Sequence, residues 1–219
     1  MMMTRRTNIP YDWSAITSLA YLTLIELDVR VFPIPTNKIK CKGVKIRSYQ
    51  KYAAKTGLSI ETITLGNELE DAFLLKGLRS DLTLILYDRE KYGARLKHTL
   101  WHELGHIKCN HQKHGEQEEV EAHFFAAQAN APNILIKNIA KRGYVIDVPF
   151  LMECFGLSEE AAKKKKNYLS NYGFEHSNEN DDLIEVLFMD YINEKYPPRT
   201  QSYYDDYYDE LERDRENWR

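Results

Sequence analysis

Two histidines separated by three residues stand near the middle of the chain, in the run His102-Glu103-Leu104-Gly105-His106. On an α-helix, residues i and i+4 lie on one face, so both imidazoles can reach one metal ion, and zinc favours such nitrogen ligands. Glu103 projects about 100° further around the helix, beside the metal rather than on it. From there its carboxylate can accept a proton from a water molecule that the metal has made more acidic. The spacing therefore predicts a hydrolytic zinc site.

A third protein ligand is needed if one coordination position is to stay open for water. The glutamates of the segment that follows, Glu116, Glu118, Glu119 and Glu121, are the candidates. On a helix, Glu119 would share a face with small alanines that let its helix approach the metal helix closely, whereas Glu121 would point with Phe124. Glu119 is therefore the favoured ligand, and Glu121 is the alternative.

Six of the seven histidines lie between residues 98 and 123, so several stand near the predicted metal. His98 is expected to pack or to form hydrogen bonds, while His111 and His114, in a polar connection, are expected to be exposed. His123 follows the favoured glutamate by one turn and is a candidate to orient its carboxylate. Cys109 would close the coordination shell if it joined two histidines and a glutamate, so we interpret it as a small apolar residue.

The elements that must position these groups are indicated by the spacing of apolar residues. Leu82 to Tyr87 predicts a strand, and Val29 to Pro35 predicts a short edge strand. Two further short elements, at 44–55 and 59–69, have no definite type. Apolar positions at intervals of three and four predict helices at 13–28, 93–109, 116–131, 134–141, 148–155 and 158–169.

The length and charge of the chain limit its organisation. A chain of 219 residues suits one catalytic unit, expected at 1–135, with a helical C-terminal region at 136–219. The net charge of −3 argues against direct nucleic-acid binding. Residues 181–219 carry twelve acidic and five basic side chains. The end of the chain, from residue 203, is therefore expected to be a solvated helix or a disordered acidic tail.

The three cysteines, Cys41, Cys109 and Cys154, form an odd and scattered set. A secreted disulfide framework would show a dense and even one. No apolar segment follows the basic residues at 1–6, so no signal peptide is expected. No run of about 18 apolar residues is present, and a membrane-spanning segment is not expected. These features predict a cytoplasmic protein.

The metal helix and the helix after it resemble the ImmA/IrrE family of metallopeptidases. Residues 96–107 resemble the family segment R-x-T-L-A-H-E-L-G-H-I, and residues 119–127 with Pro132 resemble E-x-E-A-N-x-F-A-A…P. Two positions depart from the family pattern. His123 stands where the family commonly has asparagine, and residues 128–131 replace a more apolar Leu-Leu-Met.

The resemblance implies an α+β fold: a mainly helical zincin-like metallopeptidase core with a small β-sheet and a C-terminal helical appendage. It implies a zinc endopeptidase in which His102, His106 and Glu119 bind Zn2+ and Glu103 is the general base. Family members occur in bacteria, phages and mobile elements, where they act as anti-repressors. They cleave a helix-turn-helix repressor, so such a repressor is the implied partner.

Three questions stay open at this point. The residues do not select between Tyr144 and His123 as the group that stabilises the oxyanion. The chain could instead be a non-proteolytic zinc-containing regulator that binds DNA, although its net charge argues against this. It could also bind a repressor without cutting it, but a pure binder has no need of Glu103 beside the metal. The lysine run at 163–166, within a helical pair, is interpreted as a solvated face.

Overall fold

The computed structural model of the chain describes residues 11–64, 71–76, 83–91, 93–113, 115–173 and 177–199. Within these ranges the chain forms nine α-helices, one short 3₁₀ helix at Thr36–Lys38 and three β-strands. The helices are α1 (Trp13–Glu26), α2 (Tyr49–Thr56), α3 (Ile60–Ile63), α4 (Gly93–Lys108), α5 (Glu116–Asn130), α6 (Asn133–Lys141), α7 (Val148–Phe155), α8 (Glu159–Tyr172) and α9 (Asp181–Lys195). The strands are β1 (Val44–Ser48), β2 (Ala72–Lys76) and β3 (Thr83–Tyr87).

The three strands form one sheet in the order β1-β3-β2. The central strand, β3, pairs in parallel with β1 and antiparallel with β2. Its successive side chains point to opposite faces of the sheet. Ile85 packs into the main core on one side, and Leu86 packs into a small cluster with Tyr49 of α2 and Ile63 of α3 on the other side. Because both faces of β3 are covered, its sequence is a continuous aliphatic run rather than an alternating one.

The main core lies where α5 packs against α4 on one side and against α1 on the other. Tyr21 and Leu24 of α1, Trp101 and Leu104 of α4, and Phe125 of α5 are all at most 1% exposed. Apolar residues from α6 to α9 join the same core. The division into domains at residue 135 stays a prediction.

The predicted fold class is confirmed: the protein is a mainly helical α+β structure with a small sheet. The expected helices at 93–109 and 116–131 appear as α4 and α5, and the expected strand at 82–87 appears as β3. Ser158, just before α8, caps the N-terminus of this helix, with its hydroxyl oxygen 3.2 Å from the backbone nitrogen of Ala161.

The edge strand expected at Val29 to Pro35 is wrong. The segment is a loop that contains no strand, and Val29, Phe32 and Ile34 are buried in the core. These three residues therefore reflect burial, whereas Val31 is exposed, and the two prolines of the segment cannot donate to a β-ladder. Helix α9 was not predicted, because its exposed positions include Leu183, Val186 and Met189, which obscure the helical spacing.

No helix within the described ranges is both long enough and apolar enough to cross a lipid bilayer. The acidic tail and His114 lie outside the described residues.

Candidate metal centre

The two histidines of the central run lie on one face of α4, as their spacing predicts. The Nε2 atoms of His102 and His106 are 3.0 Å apart. The side chain of His106 is 3% exposed and that of His102 is 13% exposed. The core residues on the opposite flank of α4, Trp101 and Leu104, hold the helix so that this face points away from the core.

The carboxylate of Glu119, in the first turn of α5, completes a group of three side chains. Its Oε2 atom lies 3.2 Å from Nε2 of His102, and its Oε1 atom lies 3.4 Å from Nε2 of His106. All donor atoms of the group lie within 4.8 Å of one another. In a tetrahedral zinc site, with each ligand atom about 2.0–2.1 Å from the metal, two ligand atoms are about 3.3 Å apart. Two imidazoles and a carboxylate at this spacing fit a zinc ion, and the metal site stays a prediction.

Close packing of α4 on α5 brings Glu119 to the histidines, and Gly105 makes that packing close. A Cβ atom at Gly105 would lie 3.1 Å from the Cα and carbonyl oxygen of Ala122, and 3.2 Å from the ring of Phe125. The sequence identified the alanine side of this contact but missed the glycine. Glycine within a helix costs about 1 kcal/mol relative to alanine, and this cost is the signal that could have revealed a packing role.

Gly105→Ala is expected to destabilise the protein and to weaken zinc binding. The substitution gains up to about 1 kcal/mol of helix propensity, but overpacking a tight contact costs about 1–3 kcal/mol. Overpacking should prevail, because the neighbour at Ala122 is backbone and cannot rotate aside. The Tm of the metal-free protein and its zinc affinity in competition with a chelator measure the effect. A rise in Tm, which helix propensity alone would produce, would contradict the close contact.

The alternative ligand, Glu121, turns away from the three-residue group. Its Oε2 atom lies 3.0 Å from Nε2 of His111, and its Oε1 atom accepts a hydrogen bond of 2.9 Å from Gln117. The expectation that His111 is exposed is wrong, because its side chain is 6% exposed. Its Nδ1 atom lies 3.0 Å from Nδ1 of His106.

The chain reversal at the end of α4 explains the burial of His111. Asn110 adopts a left-handed conformation, with φ of 56°. The backbone N–H of Asn110 donates to the carbonyl of Ile107, and that of His111 donates to the carbonyl of His106. This pair of bonds is a Schellman motif, which returns the chain against the helix that it ends. Asparagine just beyond the predicted helix end is the sequence signal that could have located His111.

Two further histidines lie beside the group. Nε2 of His98 lies 3.3 Å from Nδ1 of His123, and the ring centroid of His123 is 4.3 Å from that of His102. Burial, together with the smaller effects of the neighbouring His123 and Lys164, lowers the pKa of His98 to about 4. Burial also lowers the pKa of His123, as does Lys164, whereas Glu119 acts in the opposite direction. Both imidazoles are therefore neutral near pH 7 and would not repel a cation.

Two other candidates from the sequence stand apart from the group. Burial raises the pKa of the half-buried Cys109 thiol to about 11, so it stays protonated, as an apolar residue would. The hydroxyl of Tyr144 donates to the carbonyl of Pro197, 3.2 Å away, and its ring packs on Tyr196. His123, unlike Tyr144, lines the pocket at the metal group.

The three-residue group of His102, His106 and Glu119 lines a groove of about 660 Å³. The wall formed by α4 and α5 includes Glu103, which is 7% exposed. The opposite wall is formed by residues 71–74 at the start of β2. Among the described strands, β2 lies at an edge of the sheet. Arg95 of α4 forms an ion pair with Asp71, which joins this edge strand to the metal helix.

Comparison with known proteins gave one match. A family model described as Peptidase_M78, the IrrE N-terminal-like domain, matches residues 53–167. This range covers more than half of the chain and contains α4, α5 and the whole three-residue group. No curated protein and no solved structure matched the chain.

Proposed function

This chain belongs to the Peptidase_M78 family of IrrE N-terminal-like domains, and we propose that it is a zinc-dependent endopeptidase that cleaves a helix-turn-helix transcriptional repressor. The observation that carries the proposal is the group of His102, His106 and Glu119 at the spacing of zinc ligands. Glu103 lines the same groove, so a proton acceptor stands beside the metal position.

His102, His106 and Glu119 would hold the zinc ion, which would supply a Lewis acid for the peptide carbonyl and would lower the pKa of water. Glu103 accepts a proton from the attacking water as the water oxygen bonds to the carbonyl carbon. The carboxyl group then passes this proton to the amide nitrogen as the C–N bond breaks. His123 is the oxyanion-stabilising candidate that lines the groove.

The edge strand beside the metal group supports a peptide substrate. An unpaired strand edge can bind an extended peptide through main-chain hydrogen bonds. Several residues at the start of β2 line the groove, so such a peptide would contact the protein at successive positions. Binding of this kind suits an internal segment of a protein chain, which is what an endopeptidase cuts.

The resemblance to ImmA/IrrE metallopeptidases supports a helix-turn-helix repressor as the partner. A repressor acts in the cytoplasm of a bacterial cell, which is the location that the sequence predicts for this chain. The net charge of −3 favours a protein partner over nucleic acid, because nucleic-acid binders usually carry a basic excess.

Co-expression with the helix-turn-helix repressor encoded nearest to the gene tests this proposal. Wild-type protein is expected to produce repressor fragments on a gel, and Glu103→Gln is expected to leave the repressor intact. Glu118→Gln, a change of the same kind on α5, is the control and should still produce fragments. A stable complex without fragments, equally strong for the wild type and Glu103→Gln, would show a stoichiometric binder instead. An intact repressor that forms no complex would exclude it as the partner.

A further inference from the structure

Three side chains form a line that leads from the metal group to α5. His106 presents Nε2 to His102 and Glu119, and its Nδ1 atom lies 3.0 Å from Nδ1 of His111. Nε2 of His111 lies 3.0 Å from Oε2 of Glu121. The side chains of His106, His111 and Glu121 are 3%, 6% and 19% exposed, so these contacts are largely shielded from water.

The ring nitrogen that carries each proton along this line follows from the role of His106. A neutral imidazole has one N–H donor and one acceptor nitrogen, and only the acceptor nitrogen can bind a metal. If Nε2 of His106 is the ligand, its proton is on Nδ1 and requires an acceptor. Nδ1 of His111 is then that acceptor, so the proton of His111 is on Nε2 and is donated to the Glu121 carboxylate. Every donor in the line meets an acceptor.

We propose that His111 and Glu121 are positioning residues that fix the tautomer and the ring orientation of His106 for metal binding. Neither residue touches the metal or the substrate. The proposal rests on the zinc site of the proposed function. Metal-binding histidines generally donate their second N–H to a carboxylate, a backbone carbonyl or water. Here a second histidine extends the connection to a carboxylate that no direct contact joins to His106.

The second and third members of the line, His111 and Glu121, are themselves held in place. The Schellman motif at Asn110 fixes the backbone that carries His111. Gln117, one turn earlier on α5, donates to the other carboxylate oxygen of Glu121. Helix α5 therefore contributes a ligand at Glu119 and, two residues later, an anchor for the ligand of α4. A ligand held by packing and hydrogen bonds before the metal arrives is what tight metal binding requires.

Substitution of His111 tests the proposal through zinc affinity, measured by competition with a chelator. His111→Leu is expected to weaken zinc binding about 10- to 100-fold, the usual effect of losing an outer partner. His111→Asn should recover most of this loss, because its amide oxygen can accept from Nδ1 of His106. Lys113→Leu, at an exposed position of the same loop, is the control and should bind zinc as the wild type does. Unchanged affinity in His111→Leu would overturn the proposal.

Nitrogen NMR of the metal-free protein provides a test that needs neither zinc nor activity. The wild type is expected to carry the proton of His106 on Nδ1 and that of His111 on Nε2. The opposite tautomer at His106 would overturn the proposal, even if the protein proved to bind no zinc and the proposed function failed.

Glu121→Leu should lower zinc affinity, while Glu116→Leu, exposed on the same helix, should not. If His111→Leu lowered only the Tm of the metal-free protein, the role would be structural and the proposal wrong.

Discussion

Wild-type protein is expected to bind one zinc ion per chain, and His102→Ala or His106→Ala is expected to abolish this binding after dialysis. Each variant removes one of three ligands from a group whose donor atoms lie 3.0–3.4 Å apart. Zinc bound by the four protein ligands of a zinc finger gains about 10–16 kcal/mol, so one ligand's share of about 2.5–4 kcal/mol is worth about 10²–10³ in affinity. Atomic emission of the dialysed proteins measures the zinc content.

His98→Ala is the matched control, because His98 lies on the same helix one turn before His102. It is expected to keep its zinc. Glu119→Ala should lose far more affinity than Glu121→Ala, since Glu119 contacts both histidines and Glu121 contacts His111. The reverse order would make Glu121 the third ligand. If His102→Ala and His106→Ala both kept their full zinc content, the zinc site would be elsewhere in the protein.

Glu103→Gln is expected to lower the rate of repressor cleavage about 10²–10⁴-fold, the usual contribution of a general base, while the zinc content and the Tm stay unchanged. The amide has the shape of the carboxylate but cannot accept the proton. Shape matters here because Glu103 is 7% exposed, so alanine would leave a cavity and confuse catalysis with packing. Cleavage of purified repressor by the zinc-loaded protein gives the rate.

The partly exposed Glu118 supplies a comparison of the same chemical change at a position on α5 that does not line the groove. Glu118→Gln should cleave at the wild-type rate. If Glu103→Gln also cleaves the repressor at the wild-type rate, another group accepts the proton and the assigned role of Glu103 is wrong.

The parts of the fold that local spacing determines could be predicted from the sequence. His102 and His106 share a face because a helix repeats every 3.6 residues, and Glu119 faces them because small residues such as Ala122 lie on the same stripe. The strand β3 could also be predicted, since its aliphatic run is flanked by charged residues. In each case the information lies within one helix, one strand or two consecutive helices.

The parts that depend on distant contacts could not be predicted. β2 becomes a wall of the groove only because it pairs with β3 and is joined to α4 through the ion pair of Asp71 with Arg95. The burial of His111 depends on one left-handed residue, Asn110, and on a partner from the next helix. The loop at 29–35 has a composition typical of strands, but Val29, Phe32 and Ile34 are buried by α-helices that pack around it.

The position of α5 between α1 and α4 would couple the proposed metal binding to the folding equilibrium. The proposed zinc ligands come from two helices, so the complete site would exist only in the native state. Zinc at 100 times its Kd would stabilise that state by about 2.7 kcal/mol. Zinc binding and folding are linked reciprocally: a change in one alters the free energy of the other. A change such as Leu24→Ala in α1, which contacts no ligand, would therefore weaken zinc binding if it loosened α5. Zinc and the apolar core thus act on one shared conformational equilibrium, and each would report on the state of the other.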